Sequence, residues 1–423
     1  MRLNYKRTIF IGLAFMSISA FWPMYDNEFS KILQNTFGFG ETITGVIQSL
    51  DNILALFLLP IFGTFSDKVN TRYGKRMPFI LVGTILAVIF LMILPYAEST
   101  VNLSLFIGAL FFLLISMGLY RSPAVALMPD LTPKPLRSKA NAIINLMGAL
   151  GGAYTLVMIS LLVKKGGSYY PLTISVVLFM VITVAILFLT IKENKLREEL
   201  GVEEPEEKHI AVTEVKKTET LPKDVMRSLR FLLLSVALWF IAYNAVTSAF
   251  SRYAEEVWGI GSGYAYCLLV ATVAAIISYI PIGAIASKIG RKKTIIIGII
   301  LLGLCFGAAA LFNEYHPIMI IFFCIIGFAW AAIGVNSYPM VVEMANAEDV
   351  GKYTGLYYTF SMSAQVITPI LSGWLLEHVS YRTLFPYSFV FCILAVITMT
   401  QVKHGDSRPT QKKDVLENFD IDD

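Results

Sequence analysis

Charge is what this 423-residue sequence has least of. Asp, Glu, Lys and Arg make up 15% of the chain against 56% hydrophobic residues, where soluble domains carry about a quarter charged residues. Cysteine and histidine are equally scarce, four of each. Cys267, Cys305, Cys324 and Cys392 all fall inside apolar runs, with neither metal-site spacing nor pairing in a polar loop, so they read as small packing residues. His209 stands in a charged stretch and reads as a solvated histidine. No nucleophile–base pair, phosphate loop or metal-ligand cluster occurs in a polar segment. That argues against an enzyme and leaves no cofactor or metal to expect. The net charge of +4 does not point to nucleic acid either, because the basic residues sit where a membrane topology would put them.

What the chain has instead is long apolar runs. A helix needs about 20 mostly apolar residues to cross a bilayer. On that rule the spans read 8–34, 42–66, 77–97, 101–128, 138–163 and 170–191, then 227–255, 262–287, 294–312, 317–344, 352–376 and 383–402. The expected fold is an all-α polytopic membrane protein: twelve transmembrane helices in two pseudo-symmetric six-helix bundles. Residues 1–191 form the first bundle, 192–226 a linker, 227–403 the second bundle and 404–423 a tail. The linker alternates in charge and is interrupted by Pro205, so it reads as a tether, part of which forms a surface helix. The tail is polar, ends in Asp420, Asp422 and Asp423, and reads as disordered. Residues 8–20 would pass for the apolar core of a signal peptide, but their removal would break the count of six spans, so no cleavage is expected.

Of the 34 lysines and arginines, 28 fall on the side holding both termini and five on the other (Lys31, Lys164, Lys165, Arg252 and Arg382). Arg121 alone is left inside a span. The positive-inside rule therefore places both termini in the cytoplasm, as expected of a multi-pass protein of the cell membrane.

The turn after the second span is strongly basic. It carries Gly63, Ser66, Asp67, Lys68, Arg72, Gly74, Lys75 and Arg76, and the third span begins at Met77. The design returns in the second half: Pro281-x-Gly283 with Lys288 echoes Pro60-x-x-Gly63 with Lys68, and Gly290-Arg291-Lys292 echoes Gly74-Lys75-Arg76. Such spacing is the trace of two homologous halves. The loop resembles the signature loop of the major facilitator superfamily. Its longer form, Ser66-Asp67-Lys68 through Arg72, Gly74-Lys75-Arg76 and Pro78-Phe79, resembles the sucrose-type and glycoside–pentoside–hexuronide:cation symporter branch. That resemblance implies transport by alternating access. It also implies that residues at the cytoplasmic span ends latch the halves: Asp67, Lys68, Arg72, Gly74, Lys75, Arg76, Asp130, Arg137, Arg291 and Glu343. Ser287 replaces the acidic position in the second half, so the second latch is expected either to be weaker or to use Glu343 instead.

Charges inside spans are candidate functional groups because burying them is costly. Asp51 lies nine residues into its span, about 13–14 Å along a helix at 1.5 Å per residue, with Gln48 and Asn52 on the same side. A carboxylate at that depth can carry a proton through a transport cycle. Arg121 stays protonated and needs an anion, either Asp51 or a substrate. Asp26 closes the first span beside Trp22 and Tyr25, where a gating role and a substrate contact are both open. Glu28, further out, reads as solvated. Polar and aromatic residues elsewhere in the spans suit sugar hydroxyls and C–H faces: Asn141 and Asn145, Tyr243 and Asn244, Asn336, Tyr357, Tyr358 and Gln365. The same residue types also glue membrane helices together.

The branch pattern is not followed throughout. Sucrose-type carriers tend to place an arginine two residues after the first proline of the fourth span, where this chain has Val125. Melibiose-type carriers place cation-binding aspartates just ahead of the second-span proline, where it has Ala55 and Leu59. A proton is thus expected as the coupling ion ahead of sodium, and Arg121 keeps an anionic hexuronide in play. The expected function is proton-coupled symport of a sugar or glycoside by a monomer in the lipid bilayer. The alternative is a proton-antiport exporter of drugs or metabolites, with a greasier cavity.

Overall fold

The computed structural model describes residues 3–133, 136–199, 222–344 and 350–406. His209, Pro205, most of the linker and the acidic end of the tail lie outside them. The described residues form an all-helical bundle, and eleven helices are long and apolar enough to cross a membrane. They are span 1 (Tyr5–Asn35), span 2 (Glu41–Lys68), span 3 (Met77–Ser99), span 4 (Leu103–Asp130), span 5 (Lys139–Leu162, within a helix that starts at Arg137), span 6 (Tyr170–Thr190), span 7 (Lys223–Glu256), span 8 (Gly261–Ile289), span 9 (Arg291–Ala309), span 10 (Ile318–Glu343) and span 12 (Tyr381–Thr400). The remaining expected span, Val350–His378, is a helix of 29 residues, here span 11. It is not among the eleven, since Gln365, Pro369 and a series of serines, threonines and tyrosines dilute its apolar content. A short helix, Glu193–Glu199, follows span 6 in the linker.

Spans 1 to 6 pack mainly on one another, as do spans 7 to 12, and the two sets meet along spans 2 and 11, spans 5 and 8, and the middle of span 1 against span 7. Small residues set how closely helices approach. A Cβ on Gly151 of span 5 would lie 2.1 Å from the Met16 carbonyl oxygen of span 1. In the second half a Cβ on Gly327 of span 10 would lie 2.1 Å from that of Ala271 in span 8.

Each half also repeats one capping device. The Glu193 carboxylate, after span 6, accepts from the backbone N–H groups of Lys75 (2.8 Å), Arg76 (3.1 Å) and Met77 (3.0 Å) at the start of span 3. Asp406, after span 12, accepts from the N–H of Lys292 (2.8 Å) at the start of span 9. Carboxylates here satisfy orphan donors and oppose the positive end of the helix dipole. Gly74 (φ +119°) and Gly290 (φ +94°) make room, for a Cβ on either would press on the capping carboxylate.

The end away from the termini, the far end, is where polar contacts tie the halves together. Arg252 of span 7 donates through Nε to Glu41 of span 2 (2.8 Å), and each of these side chains is only 3% exposed. Tyr381 donates its hydroxyl to the other Glu41 oxygen (2.7 Å). Glu377 of span 11 accepts from the Thr42 N–H (2.7 Å). Glu28, expected in water, is wholly buried and accepts from Tyr264 of span 8. Lys31, counted in the sequence among residues of an exposed side, is buried between Glu28 (3.9 Å) and Glu255 of span 7 (3.3 Å), with the Tyr264 ring 4.4 Å from its ammonium. Glycines bring the backbones together there too: a Cβ on Gly45 would lie 2.1 Å from the Pro369 carbonyl oxygen, and one on Gly373 2.5 Å from that of Glu41.

At the end carrying the termini, the basic end, the ion pairs described each stay within one half. Arg76 binds Asp67 and Asp130, the latter at 2.7 Å, and also donates to Ser66. Arg291 pairs with Glu343 at 2.6 Å. Arg137 donates to the carbonyls of Pro129 (2.9 Å), in the last turn of span 4, and Thr132 (3.3 Å), just past it. Lys68 is exposed, and the Arg72 guanidinium sits 4.6 Å from the Tyr73 ring centroid.

Overpacking a close helix contact costs about 1–3 kcal/mol. Gly151→Ala and Gly327→Ala are each expected to lower the thermal unfolding temperature of the purified protein, and Gly355→Ala, whose Cβ would meet nothing within 4 Å, is not. Glu193→Ala is expected to cost about 1–3 kcal/mol, because buried backbone donors lose their acceptor, whereas the exposed Glu198→Ala should leave the same melting curve unmoved.

Candidate functional site

Two connected chambers lie between the halves, midway along the spans. The smaller, about 230 Å³, is lined by Trp22 and Asp26 from span 1, Gln48, Asp51 and Asn52 from span 2, Arg121 from span 4, Asn244, Thr247 and Ser248 from span 7, and Gln365 and Pro369 from span 11. The larger, about 570 Å³, shares Asn52, Arg121, Asn244 and Gln365 with it. It adds Leu59, Ser122, Val125, Phe240, Trp330, Tyr357, Tyr358, Ser361 and Met362. The first is charged and amide-rich, the second aromatic with a polar rim.

Local sequence explains how the charged groups reach this point. Pro23 cannot donate a backbone hydrogen bond, and the six residues after it, Met24–Phe29, wind as a π-helix, a form that recurs at functional sites. Asp26 sits in that segment. Its carbonyl accepts from Gln48 Nε2 (2.6 Å) and from the Ser30 hydroxyl (2.9 Å). Tyr25 donates its hydroxyl to the carbonyls of Ile47 (3.1 Å) and Gln48 (3.2 Å), fixing span 1 against span 2. The spacing Gln48, Asp51, Asn52 then puts one face of span 2 on the chamber, with Asn52 Nδ2 donating to Asp51 Oδ1 (2.9 Å). Arg121 enters from span 4 with its guanidinium 5.6 Å from the Trp22 ring centroid. Ser122, its neighbour, donates to the Leu59 carbonyl of span 2 (2.9 Å) and holds the two helices in register.

The structure brings Asp26, Gln48, Asp51, Asn52, Arg121, Asn244 and Gln365 together at one chamber, and Tyr357 and Tyr358 at the other. Tyr243 stacks on Trp330, ring centroids 3.7 Å apart and planes within 8°, behind the aromatic wall. Tyr357 shares a hydrogen bond with Ser337 of span 10 (3.0 Å). Besides Tyr243, three expected residues line neither chamber. Asn141 and Asn145 belong to span 5, and Asn336 is buried with its amide donating to the Ala332 carbonyl one turn back (2.9 Å). Among the described residues no group of three or more His, Cys, Asp or Glu could hold a metal ion.

Several polar groups on the chamber wall escaped sequence reasoning. Ser122, Ser248 and Ser361 are ordinary hydroxyls in apolar helices, with nothing in the sequence to mark them, whereas Thr247 follows Asn244 at helical spacing. Two amides keep unused capacity: Gln48 Oε1 and Asn244 Nδ2 are buried with no hydrogen-bond partner in the protein. One is an acceptor and the other a donor, the pair of functions that a hydroxyl-bearing ligand meets. Carboxylates, a guanidinium, amides and an aromatic wall within one enclosed space can bind a small polar molecule and exchange a proton with it or beside it.

Residues 9–403 match the family model described as MFS/sugar transport protein. The chain is 24% identical over 378 residues to an uncharacterized MFS-type transporter of Methanocaldococcus jannaschii, covering 86% of this chain and 87% of that one. It is 30% identical over 149 residues to the sucrose transport protein SUC3 of Arabidopsis thaliana, a match spanning 31% of this chain and 25% of that protein. Among solved structures the nucleoside transporter NupG superposes with a TM-score of 0.70 at 14% identity, over 94% of this chain and 100% of that one. With a fold of paired helical bundles around a central polar cavity, and a family match over nearly its whole length, the chain belongs to the MFS/sugar transport protein family of the major facilitator superfamily.

Proposed function

We propose that this transporter takes up a sugar or glycoside together with protons, by alternating access of the shared chambers to the two sides of the cell membrane, with both termini in the cytoplasm. The observation that carries the reading is the convergence of Asp51, Asp26 and Arg121 with four amide side chains on one chamber between the halves. Sugars present several hydroxyls that both donate and accept, and side-chain amides match them in kind. Phe240, Trp330, Tyr357 and Tyr358 supply ring faces in the adjoining chamber for C–H surfaces. The family description and the partial match to sucrose transporters support the same substrate class.

Asp51 is the proposed proton carrier. Asn52 donates to it, and Arg121 shares its chamber. A permanent cation beside a carboxylate gives substrate and proton a common point of action: neutralising Asp51 frees the guanidinium to hold a substrate oxygen, and ionising it draws the guanidinium back. The basic-end groups Asp67, Arg76, Asp130, Arg291 and Glu343 are proposed to serve the state in which that end closes. The far end is sealed by polar contacts between the halves, and the basic-end ion pairs among the described residues lie within one half, so we read the conformation as one facing the cytoplasm.

The test is proton flux in energised cells or sealed vesicles against mono- and disaccharides, glycosides and hexuronates. Alkalinisation of the medium is expected with one of these classes, and Asp51→Asn is expected to reduce it to the background of cells without the protein. Acidification, or silence across the whole panel, overturns proton symport of sugars.

A further inference from the structure

The second half carries a trough on its lipid-facing side that shares no residue with either chamber. It lies between spans 9 and 12, holds about 210 Å³ and is lined by aliphatic and aromatic side chains, with Gly303 and Cys392 at its floor. The floor is a close helix contact: a Cβ on Gly303 would lie 3.0 Å from the Cys392 Cβ, and one on Gly307 3.1 Å from the Phe389 ring. The rims stand clear of it, with Ile300 and Leu304 on span 9 and Ile393 and Ile397 on span 12 all exposed. Ile300 and Leu304 come nine and thirteen residues after Arg291, about 14 and 20 Å along the helix. Ile397 and Phe389 come three and eleven residues before Thr400, about 5 and 17 Å. A hydrocarbon core of about 30 Å gives each leaflet about 15 Å, so the trough has the depth of the leaflet at the basic end.

The mouth of the trough is basic. Lys293, Ile297, Ile300 and Leu304 recur at intervals of four, three and four residues and are all exposed, so one stripe of span 9 runs from the trough up to a lysine. Lys403 is exposed just past the end of span 12. The two helix ends are clamped together there, as Lys292 Nζ donates to the carbonyls of Thr400 (3.0 Å) and Val402 (2.5 Å). That ammonium also offsets the negative end of the span 12 dipole, which would otherwise repel an anion. Span 7 adds Arg227 and Arg230, both exposed. Between them Ser228 accepts from the Lys403 N–H (3.1 Å) and shares a hydrogen bond with His404 Nδ1 (2.8 Å). Of the acidic groups at this end of the second half, Glu343 is held by Arg291 and Asp406 by the Lys292 N–H, and Asp224 stands in the first turn of span 7. Neither Lys293 nor Lys403 forms an ion pair among the described residues.

We propose that this trough and its mouth bind one anionic phospholipid, with an acyl chain along spans 9 and 12 and the phosphate between Lys293 and Lys403. A trough walled by apolar side chains within one leaflet suits a hydrocarbon chain, and lysines at headgroup level attract an anionic lipid. A second copy of this chain fits less well. A stable interface buries roughly 800 Å² on each partner, and a two-fold contact centred here would set the lysines of one copy against those of the other. Both walls belong to one half, so relative motion of the halves leaves the site intact. The inference depends on neither the substrate nor the coupling ion.

The test places the full chain in phosphatidylcholine vesicles with a minority of phosphatidylglycerol, whose acyl chains alone are brominated and so quench tryptophan. Leu304→Trp puts a reporter on the trough rim, and Leu178→Trp puts one on the exposed face of span 6 at matching depth, twelve residues from Thr190. The fluorescence each adds over the parent protein is followed as phosphatidylglycerol is raised. Half-quenching at position 304 is expected at about fivefold less phosphatidylglycerol than at 178, the factor that one basic residue near an anionic surface supplies. Moving the bromines to phosphatidylcholine is expected to reverse the order. Lys293→Gln with Lys403→Gln is expected to bring position 304 to the level of 178 without moving the melting curve. Equal quenching at the two positions, or a preference that survives the lysine replacements, overturns the site. Weaker quenching at 304 than at 178 by both lipids also overturns it, since a second copy would then cover the trough. A failed sugar panel in the flux experiment touches none of these results.

Discussion

A charge taken into hydrocarbon must be given back what water supplied, and that constraint orders the whole molecule. It sends ionisable groups to three places. At the basic end they meet water and the ends of helices, as Arg76 does between Asp67 and Asp130. At mid-depth they face the chambers, where Asp51, Asp26 and Arg121 stand among amides. At the far end they pair inside the protein, as Glu41 with Arg252 and Glu28 with Lys31 and Tyr264. The lipid-facing surface is left to leucine, isoleucine, valine and phenylalanine, which is why so many of these are exposed in a protein considered without its bilayer.

Much of this was legible in the sequence. Apolar runs located the helices because a bilayer imposes one length on all of them, and the basic turn at 67–76 with its echo at 288–292 marked the duplication. The chamber was legible on span 2, since Gln48, Asp51 and Asn52 are polar residues at helical spacing in an otherwise apolar run, and on span 4, since Arg121 has no neighbour in sequence to neutralise it. The far-end seal was not legible. Glu28, Lys31, Glu41 and Arg252 lie near span ends, where a linear reading assigns a charge to water, and the partner that buries Glu41 is 211 positions away. Pairing of that kind belongs to tertiary structure. Asn336 misled in the opposite sense: a buried amide in an apolar helix suggests a ligand, but its hydrogen bond goes to its own helix.

The two halves solve the same mechanical problem with unlike residues. Glu193 and Asp406 each return from the end of a sixth span to the start of a third, one in a short helix and one in an extended tail. The close glycine approaches are placed differently, Gly151 bringing span 5 against span 1 and Gly327 bringing span 10 against span 8. The charged chamber wall, by contrast, is asymmetric. Its ionisable groups all come from spans 1, 2 and 4, while spans 7 and 11 bring amides, hydroxyls and a proline. The scaffold kept the repeat, and the chamber wall did not.

Span 11 has a history that follows from its composition. Its Gln365, Tyr357, Tyr358 and Ser361 face the chambers, and its packing is against spans 2 and 7. Lacking the apolar stretch that each of the other eleven long helices has, it gains less from lipid as it emerges during synthesis, when only its neighbours earlier in the chain exist to receive it. Its integration is thus an act of assembly more than of partitioning, completed when spans 2 and 7 offer a polar groove to enter. A helix that carries polar side chains to the chambers is the one that needs the rest of the protein to get into the membrane itself.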